Sequence, residues 1–194
     1  MKYNINRKES IENAVELILN GKVIIYPTDT LYGFGVDAIN NEAIKKLNIL
    51  KKRNQPYSII VSSINMLKTY CDFNLQLHNF IDKIFPGPFT LIMNKKNNIL
   101  PSLLTNNLDT IGIRMPNSKF IIDVINKINR PIVTTCVNIH NQKSLNSISE
   151  IESEFSNINF FYNSLYKNSK GSTIVDCTKF PYKIIRQGDG AVTL

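Results

Sequence analysis

The chain is 194 residues long, 43% hydrophobic, and carries a formal net charge of +8 at neutral pH. That length accommodates one domain with a substantial core, the hydrophobic fraction excludes a disordered tail, and no apolar run reaches the length that spans a bilayer. The charge favours anionic partners such as nucleotides, RNA or acidic lipid, although a coding bias toward Lys, Asn and Ile accounts for much of the lysine content.

The polar residues 1–8 lead straight into a helix signal, so no signal peptide is expected. Ser10 reads as an N-cap, Ile11, Ala14, Val15, Ile18 and Leu19 line one apolar face, and Gly21 stops the helix. Residues 23–26 read as a buried strand ending at Pro27, and 41–52 as a helix with apolar positions at Ala43, Ile44, Leu47 and Leu50. A strand at 57–61 precedes helices at 63–69 and 75–85, the second closed by Pro86-Gly87-Pro88. Strands follow at 89–93 and 110–115, then a helix capped by Ser118 with Phe120, Ile121, Val124, Ile125 and Ile128 on its apolar face. A strand at 132–137, a short helix at 147–155 and strands at 160–162, 172–177 and 183–187 complete the chain. Pairs of strands occur without an intervening helix. One α/β domain over residues 1–194, with a mixed and twisted sheet, is therefore expected rather than an all-parallel one.

Several familiar sites are absent. There is no GxxxxGK[ST] phosphate loop, and Gly33 and Gly35 have no third glycine at dinucleotide-binding spacing. His78 and His140 have no His, Cys or Asp at ligand spacing, and Cys71, Cys136 and Cys177 form no metal or redox pair, so no metal site is expected. Unpaired cysteines of this kind fit a reducing compartment, and a cytoplasmic location with no membrane contact is the expectation.

Five strings can carry chemistry. In Tyr26-Pro27-Thr28-Asp29-Thr30-Leu31-Tyr32-Gly33, a buried strand runs into a loop of hydroxyls and glycine, where Thr30 and Tyr32 alternate and Gly33 and Gly35 permit close backbone approach. An ordinary strand-end turn accounts for the same string. Lys51-Lys52-Arg53 closes a helix, and Asn54 and Pro56 end it so that Lys51 and Arg53 can act together; cations complementing a helix C-terminus are the plain alternative. Thr134-Thr135-Cys136-Val137-Asn138 sits at a strand's C-terminal end, where open α/β sheets place ligands. Arg114 lies in an apolar strand and needs an anionic partner or an exposed tip. Ser172-Thr173 and Arg186 close the set; a solvated Ser/Thr pair and a surface arginine are the bland reading.

Taken in order, these strings resemble the YrdC-like family. Residues Gly21 through Asp37 match its opening PT-[DE]-T-x-YG segment, Lys51 and Arg53 its K-x-R, and Pro86-Gly87-Pro88-Phe89-Thr90 its PGP-[FY]-T. Arg114-Met115-Pro116 match R-x-P, and Ser172–Asp176 with Arg186–Gly188 match the closing string, so the resemblance spans about residues 10–190. Two departures stand out. The family's S-x-N and following S-G are Cys136-Val137-Asn138 and His140-Asn141 here, and Gln55 precedes Pro56 where a lysine is usual, in a shortened segment. The resemblance implies an open, twisted sheet with flanking helices and a basic concave face. It also implies a nucleotidyltransferase, the L-threonylcarbamoyladenylate synthase that joins ATP, L-threonine and bicarbonate and releases pyrophosphate for tRNA modification. Lys51, Arg53, Cys136, Asn138, Ser172 and Arg186 are then expected on the ATP side, and Thr30, Tyr32, Arg114 and Thr173 on the threonine and carbamate side. No covalent nucleophile is implied. Mg²⁺ arrives with ATP, and a threonylcarbamoyl transferase complex takes the product, with tRNA or RNA contact as a further expectation. An RNA-binding module or a catalytically weakened scaffold is the competing reading.

Overall fold

The computed structural model describes residues 1–53, 55–96, 99–163 and 168–193. In chain order the elements are β1 (Lys2–Asn4), α1 (Glu9–Leu19), β2 (Ile24–Tyr26), β3 (Gly33–Gly35), α2 (Asn41–Lys51), β4 (Ser58–Ile60), α3 (Ile64–Tyr70), α4 (Leu75–Ile84) and β5 (Phe89–Asn94). They continue as α5 (Ser102–Thr105), β6 (Thr110–Arg114), α6 (Lys119–Ile128), β7 (Ile132–Cys136), α7 (Ile148–Glu154), β8 (Asn159–Tyr162), β9 (Thr173–Asp176) and β10 (Lys183–Arg186). The strands build one open sheet of ten, ordered β1-β8-β2-β3-β7-β4-β6-β5-β9-β10. β8 runs parallel to β1 and β2, β4 to β6 and β5 to β9; the other neighbours are antiparallel. The sheet is therefore mixed, as expected from the paired strands.

Alternation along the strands decides what each face meets. Ile59, Leu91, Ile111, Ile113, Val133 and Val175 point to one face, where they join Ile44 and Leu47 of α2, Leu67 of α3, and Leu77 and Ile81 of α4. On the other face only part of the sheet is covered: Ile24, Tyr26, Ile60, Ile132 and Phe161 pack beneath Ala14 and Ile18 of α1 and the apolar stripe of α6. The positions that alternate with the first core farther along the sheet are Ser58, Thr90, Thr134 and Ile174, and these line an open cleft. Helices thus seal one face, and the uncovered half of the other face becomes the site. No helix among the described residues is long and apolar enough to cross a membrane.

Local signals held with informative exceptions. Ser63, Asn74 and Ser147 cap α3, α4 and α7 by accepting the backbone N–H three residues on. Ser10, expected as an N-cap, lies within the first turn of α1, behind Lys8; its buried hydroxyl donates to Asn4 O at 2.6 Å and ties the helix to β1. Ser118 does hold the cap position of α6, but its hydroxyl donates to Pro27 O at 3.3 Å instead of capping. α2 ends at Lys51 with Lys52 left-handed at φ 49°; Asn54, read as part of the helix stop, lies outside the described residues.

β1, β3 and α5 carry no usable sequence signal. β3 is Gly-Phe-Gly, poor in strand propensity. It is held as a strand by antiparallel pairing with β2 on one side and β7 on the other, and the Tyr26 ring requires glycine at one of its positions: a Cβ on Gly35 would sit 2.6 Å from Tyr26 Cε1. The expectation that both glycines admit a ligand therefore needs correction at Gly35, whose space the ring takes, while Gly33 does line the cleft.

Candidate functional site

The cleft, about 170 Å³, lies over β3, β7, β4, β6, β5 and β9 and is rimmed by the loop from Thr28 to Tyr32, the turn after α2 and the chain around Gly171. Register brings distant segments into line: Gly33 pairs with Cys136, Ser58 with both Thr134 and Gly112, and Thr90 with Ile174. Three arginines, Arg53, Arg114 and Arg186, reach this hydroxyl-rich lining.

The loop after β2 is shaped by its own hydroxyls. Thr28 Oγ1 donates to Leu31 O at 2.7 Å and accepts from Thr30 N at 3.0 Å, a serine/threonine turn that holds Thr30 inward. Asp29 supplies the anionic partner that the strand position of Arg114 called for: Arg114 Nη2 donates to Asp29 Oδ1 at 2.9 Å and to Thr30 Oγ1 at 3.1 Å. Both side chains of this ion pair are about nine-tenths buried, and Asp29 Oδ2 also accepts from Asn117 N at 3.0 Å. Arg114 therefore locks the loop to the end of β6, and its charge is balanced before any substrate arrives. Tyr32 OH donates to Asn163 O at 2.9 Å and accepts from Asn163 N at 3.2 Å, which fixes the opposite rim.

Lys51 and Arg53 part company. Arg53 lines the cleft, with Nη2 donating to Pro56 O at 2.8 Å and its guanidinium carbon 5.1 Å from the centre of the Tyr57 ring. Lys51 is 1% exposed and points behind β7. Its ammonium donates to Cys136 O at 2.7 Å, Asn138 O at 2.8 Å and Asn138 Oδ1 at 2.6 Å, so all three N–H groups are engaged. Burial pushes its pKa down to about 8, partly opposed by Cys136. His140 N donates to Lys51 O at 3.0 Å, and the α2 end and the turn after β7 are thus joined from both sides.

At the far wall, Thr90 and Ser172 share a hydrogen bond of 2.7 Å, and Arg186 Nη2 donates to Ser172 O at 2.7 Å. Thr173 faces away. Its hydroxyl, fully buried, donates to Gly190 O at 2.6 Å and accepts from Gly188 N at 3.0 Å, pinning the C-terminal stretch against β9.

A family model described as telomere recombination, that of Sua5, YciO and YrdC, matches residues 16–188. The chain belongs to the Sua5/YciO/YrdC family. A Methanocaldococcus jannaschii protein provisionally named threonylcarbamoyl-AMP synthase is 35% identical over 96% of this chain and 90% of its own length. A solved structure of Pyrococcus abyssi Sua5 complexed with L-threonine is 27% identical with a TM-score of 0.88, covering 97% of this chain; the chain spans 57% of that protein. Escherichia coli YciO, 19% identical with a TM-score of 0.87 over 98% of this chain and 95% of its own, shares the fold.

Within this Sua5/YciO/YrdC cleft the structure gathers Arg53, Cys136, Ser172, Arg186, Thr30, Tyr32 and Arg114, all expected at the site. Lys51, Asn138 and Thr173, also expected there, do not line it: Lys51 and Asn138 hold one another, and Thr173 holds the C-terminal stretch. Asn138 Nδ2 in addition donates to Gln142 O at 2.6 Å. Tyr57 and Ser58 line the cleft without having been singled out, while Thr28, Thr90 and Thr134, which also line it, lay within the quoted strings but were given no site role. Period-two alternation could have found Thr90, a polar position between Phe89 and Leu91, which both join the core beneath the helices.

Proposed function

We propose that this chain is a threonylcarbamoyl-AMP synthase, transferring the adenylyl group of ATP to a carbamate of L-threonine. The observation that carries this reading is one cleft in which a hydroxyl-lined loop faces three arginines, in a chain whose relatives carry that name. Bicarbonate and the threonine amine give the carbamate with loss of water; a carbamate oxygen then attacks the α-phosphorus, and the P–O bond to pyrophosphate breaks. Such a transfer needs positioning and charge neutralisation rather than a nucleophilic side chain. Arg53 and Arg186 neutralise developing charge on the phosphates. Thr30 and Tyr32 orient the amino acid, with Arg114 holding the loop that bears Thr30. Cys136 and Ser172 border the nucleotide, and Lys51 with Asn138 sets the backbone that carries Cys136. Mg²⁺ enters as part of the Mg-ATP substrate. The product passes to a tRNA-modifying transferase in the cytoplasm.

The test is ATP-dependent pyrophosphate release by the purified chain. Release that requires both L-threonine and bicarbonate is expected. No release above background, together with tight RNA binding, would establish the binding-module reading instead.

A further inference from the structure

Two hydroxyls on the far wall of the cleft carry one proton more than the protein uses. Thr90 alternates along β5 with Phe89 and Leu91, which join the core beneath the helices, so its side chain turns to the cleft. A β-branched side chain has few rotamers open to it, and the neighbouring strands select one here. On the β6 side stands Gly112, where a Cβ would lie 3.4 Å from Thr90 Cγ2, so the methyl occupies that side. On the β9 side Thr90 Oγ1 lies 2.7 Å from Ser172 Oγ. Both residues are 5% exposed, so their hydroxyl bond is largely shielded from water.

The backbone around Ser172 is fixed from three directions. Asp189 N donates to Gly171 O at 2.8 Å, Arg186 Nη2 donates to Ser172 O at 2.7 Å, and Thr173 N donates to Pro88 O at 2.9 Å. What is left to set is the direction of the Ser172 O–H. Each hydroxyl has one proton to give and lone pairs to receive. The bond between Thr90 and Ser172 consumes one proton, and Arg186 Nη2, 3.4 Å from Ser172 Oγ, can only donate. Among the described residues neither hydroxyl has another partner, so one O–H remains for whatever enters the cleft that both line. Arg186 decides which. Its charge draws the Ser172 lone pairs toward it and strengthens the Ser172 O–H as a donor to an anion. Thr90, donating to the same oxygen, adds to that polarisation.

We propose that Thr90 is a positioning residue: its hydroxyl donates to Ser172 and turns the Ser172 O–H toward an oxygen of the bound substrate. The role rests on the synthase reading for its ligands, Mg-ATP and L-threonine, but is tested by binding and not by turnover. Each ligand is titrated calorimetrically into wild type, Thr90→Val, Thr90→Ser, Ser172→Ala and the double variant Thr90→Val/Ser172→Ala, with urea midpoints measured alongside. Valine keeps the branched shape and removes only the hydroxyl, whereas serine keeps the hydroxyl and drops the methyl. The ligand that Ser172→Ala weakens should lose roughly tenfold in affinity in Thr90→Val and recover in Thr90→Ser. The double variant should bind it no worse than Ser172→Ala alone, because Thr90 then has nothing left to orient. Wild-type affinity in Thr90→Val would overturn the role, as would a loss in Thr90→Ser equal to that in valine, which makes the methyl the working part. Losses that multiply in the double variant, or no effect of Ser172→Ala on either ligand, would overturn it too. If Thr90→Val does not fold, Thr90→Ala takes its place in the same comparison with Thr90→Ser. Wild type that binds both ligands without threonine-dependent pyrophosphate release ends the synthase reading, while the variants still decide the role of Thr90; wild type that binds neither ends both.

Discussion

At the scale of single residues, the divergent settings of Lys51 and Arg53 predict divergent variants. Arg53→Ala should weaken ATP binding roughly ten- to a hundredfold with the fold intact, since charge-assisted hydrogen bonds contribute about 1.5–3 kcal/mol. Arg53→Lys should recover little of that, because lysine lacks the planar fork. Unchanged ATP affinity in calorimetry of either variant would remove Arg53 from the nucleotide site. Cys136 is the half-buried thiol on the cleft wall, whereas Cys71 and Cys177 are buried and their thiols are pushed up to about 12 by desolvation. Cys136→Ser should bind ATP as well as wild type or better, by at most about 1 kcal/mol, because a hydroxyl is the stronger hydrogen-bonding group. Complete loss of turnover in a folded serine variant would contradict that role and the mechanism with it.

At the scale of elements, β3 shows how a poor strand sequence becomes a strand. Its two glycines are not equivalent. A Cβ on Gly35 would meet Tyr26 at 2.6 Å and Ile132 Cγ2 at 3.1 Å, both buried and packed. Gly35→Ala should therefore cost about 1–3 kcal/mol, as overpacking does. At Gly33 the nearest atoms lie at 3.4–3.5 Å, ordinary contacts, and the position borders the cleft. Gly33→Ala should keep its denaturation midpoint and lose substrate affinity instead. Midpoints in urea separate the two, and equal losses would mean that the Tyr26 ring does not set the spacing.

At the scale of the whole molecule, Lys51 couples protonation to folding. Its folded pKa, about 8, lies below the ordinary 10.5, so from pH 8 to 10.5 the unfolded chain holds the proton more tightly than the folded one. Stability then rises with pH across that window, as the cost of burying the charge is relieved. Urea midpoints of wild type and Lys51→Met, compared at pH 7, 8.5 and 10, should show wild type gaining on the variant as pH rises. A constant difference would mean that the three carbonyl contacts keep the amine charged.

Much of this was legible in the linear chain. Amphipathic periods located α2, α4 and α6 because burial of one stripe is a local pattern, and the ordered strings around Thr30, Arg53, Arg114, Ser172 and Arg186 pointed to residues that meet in one cleft. Tertiary structure decided the rest. Lys51 looks in sequence like a partner of Arg53, but the left-handed turn at Lys52 sends the two side chains apart, and three oxygens at positions 136 and 138 engage its ammonium. Asp29 is one acid among fifteen until β6 brings Arg114 to 2.9 Å from it. β3 has no strand signal of its own and exists because Tyr26 and β7 lie on either side of it. Periodicity records which way a residue faces within its own element; which residues face each other depends on the order and register of ten strands, and pairing across more than eighty positions of chain leaves no local trace.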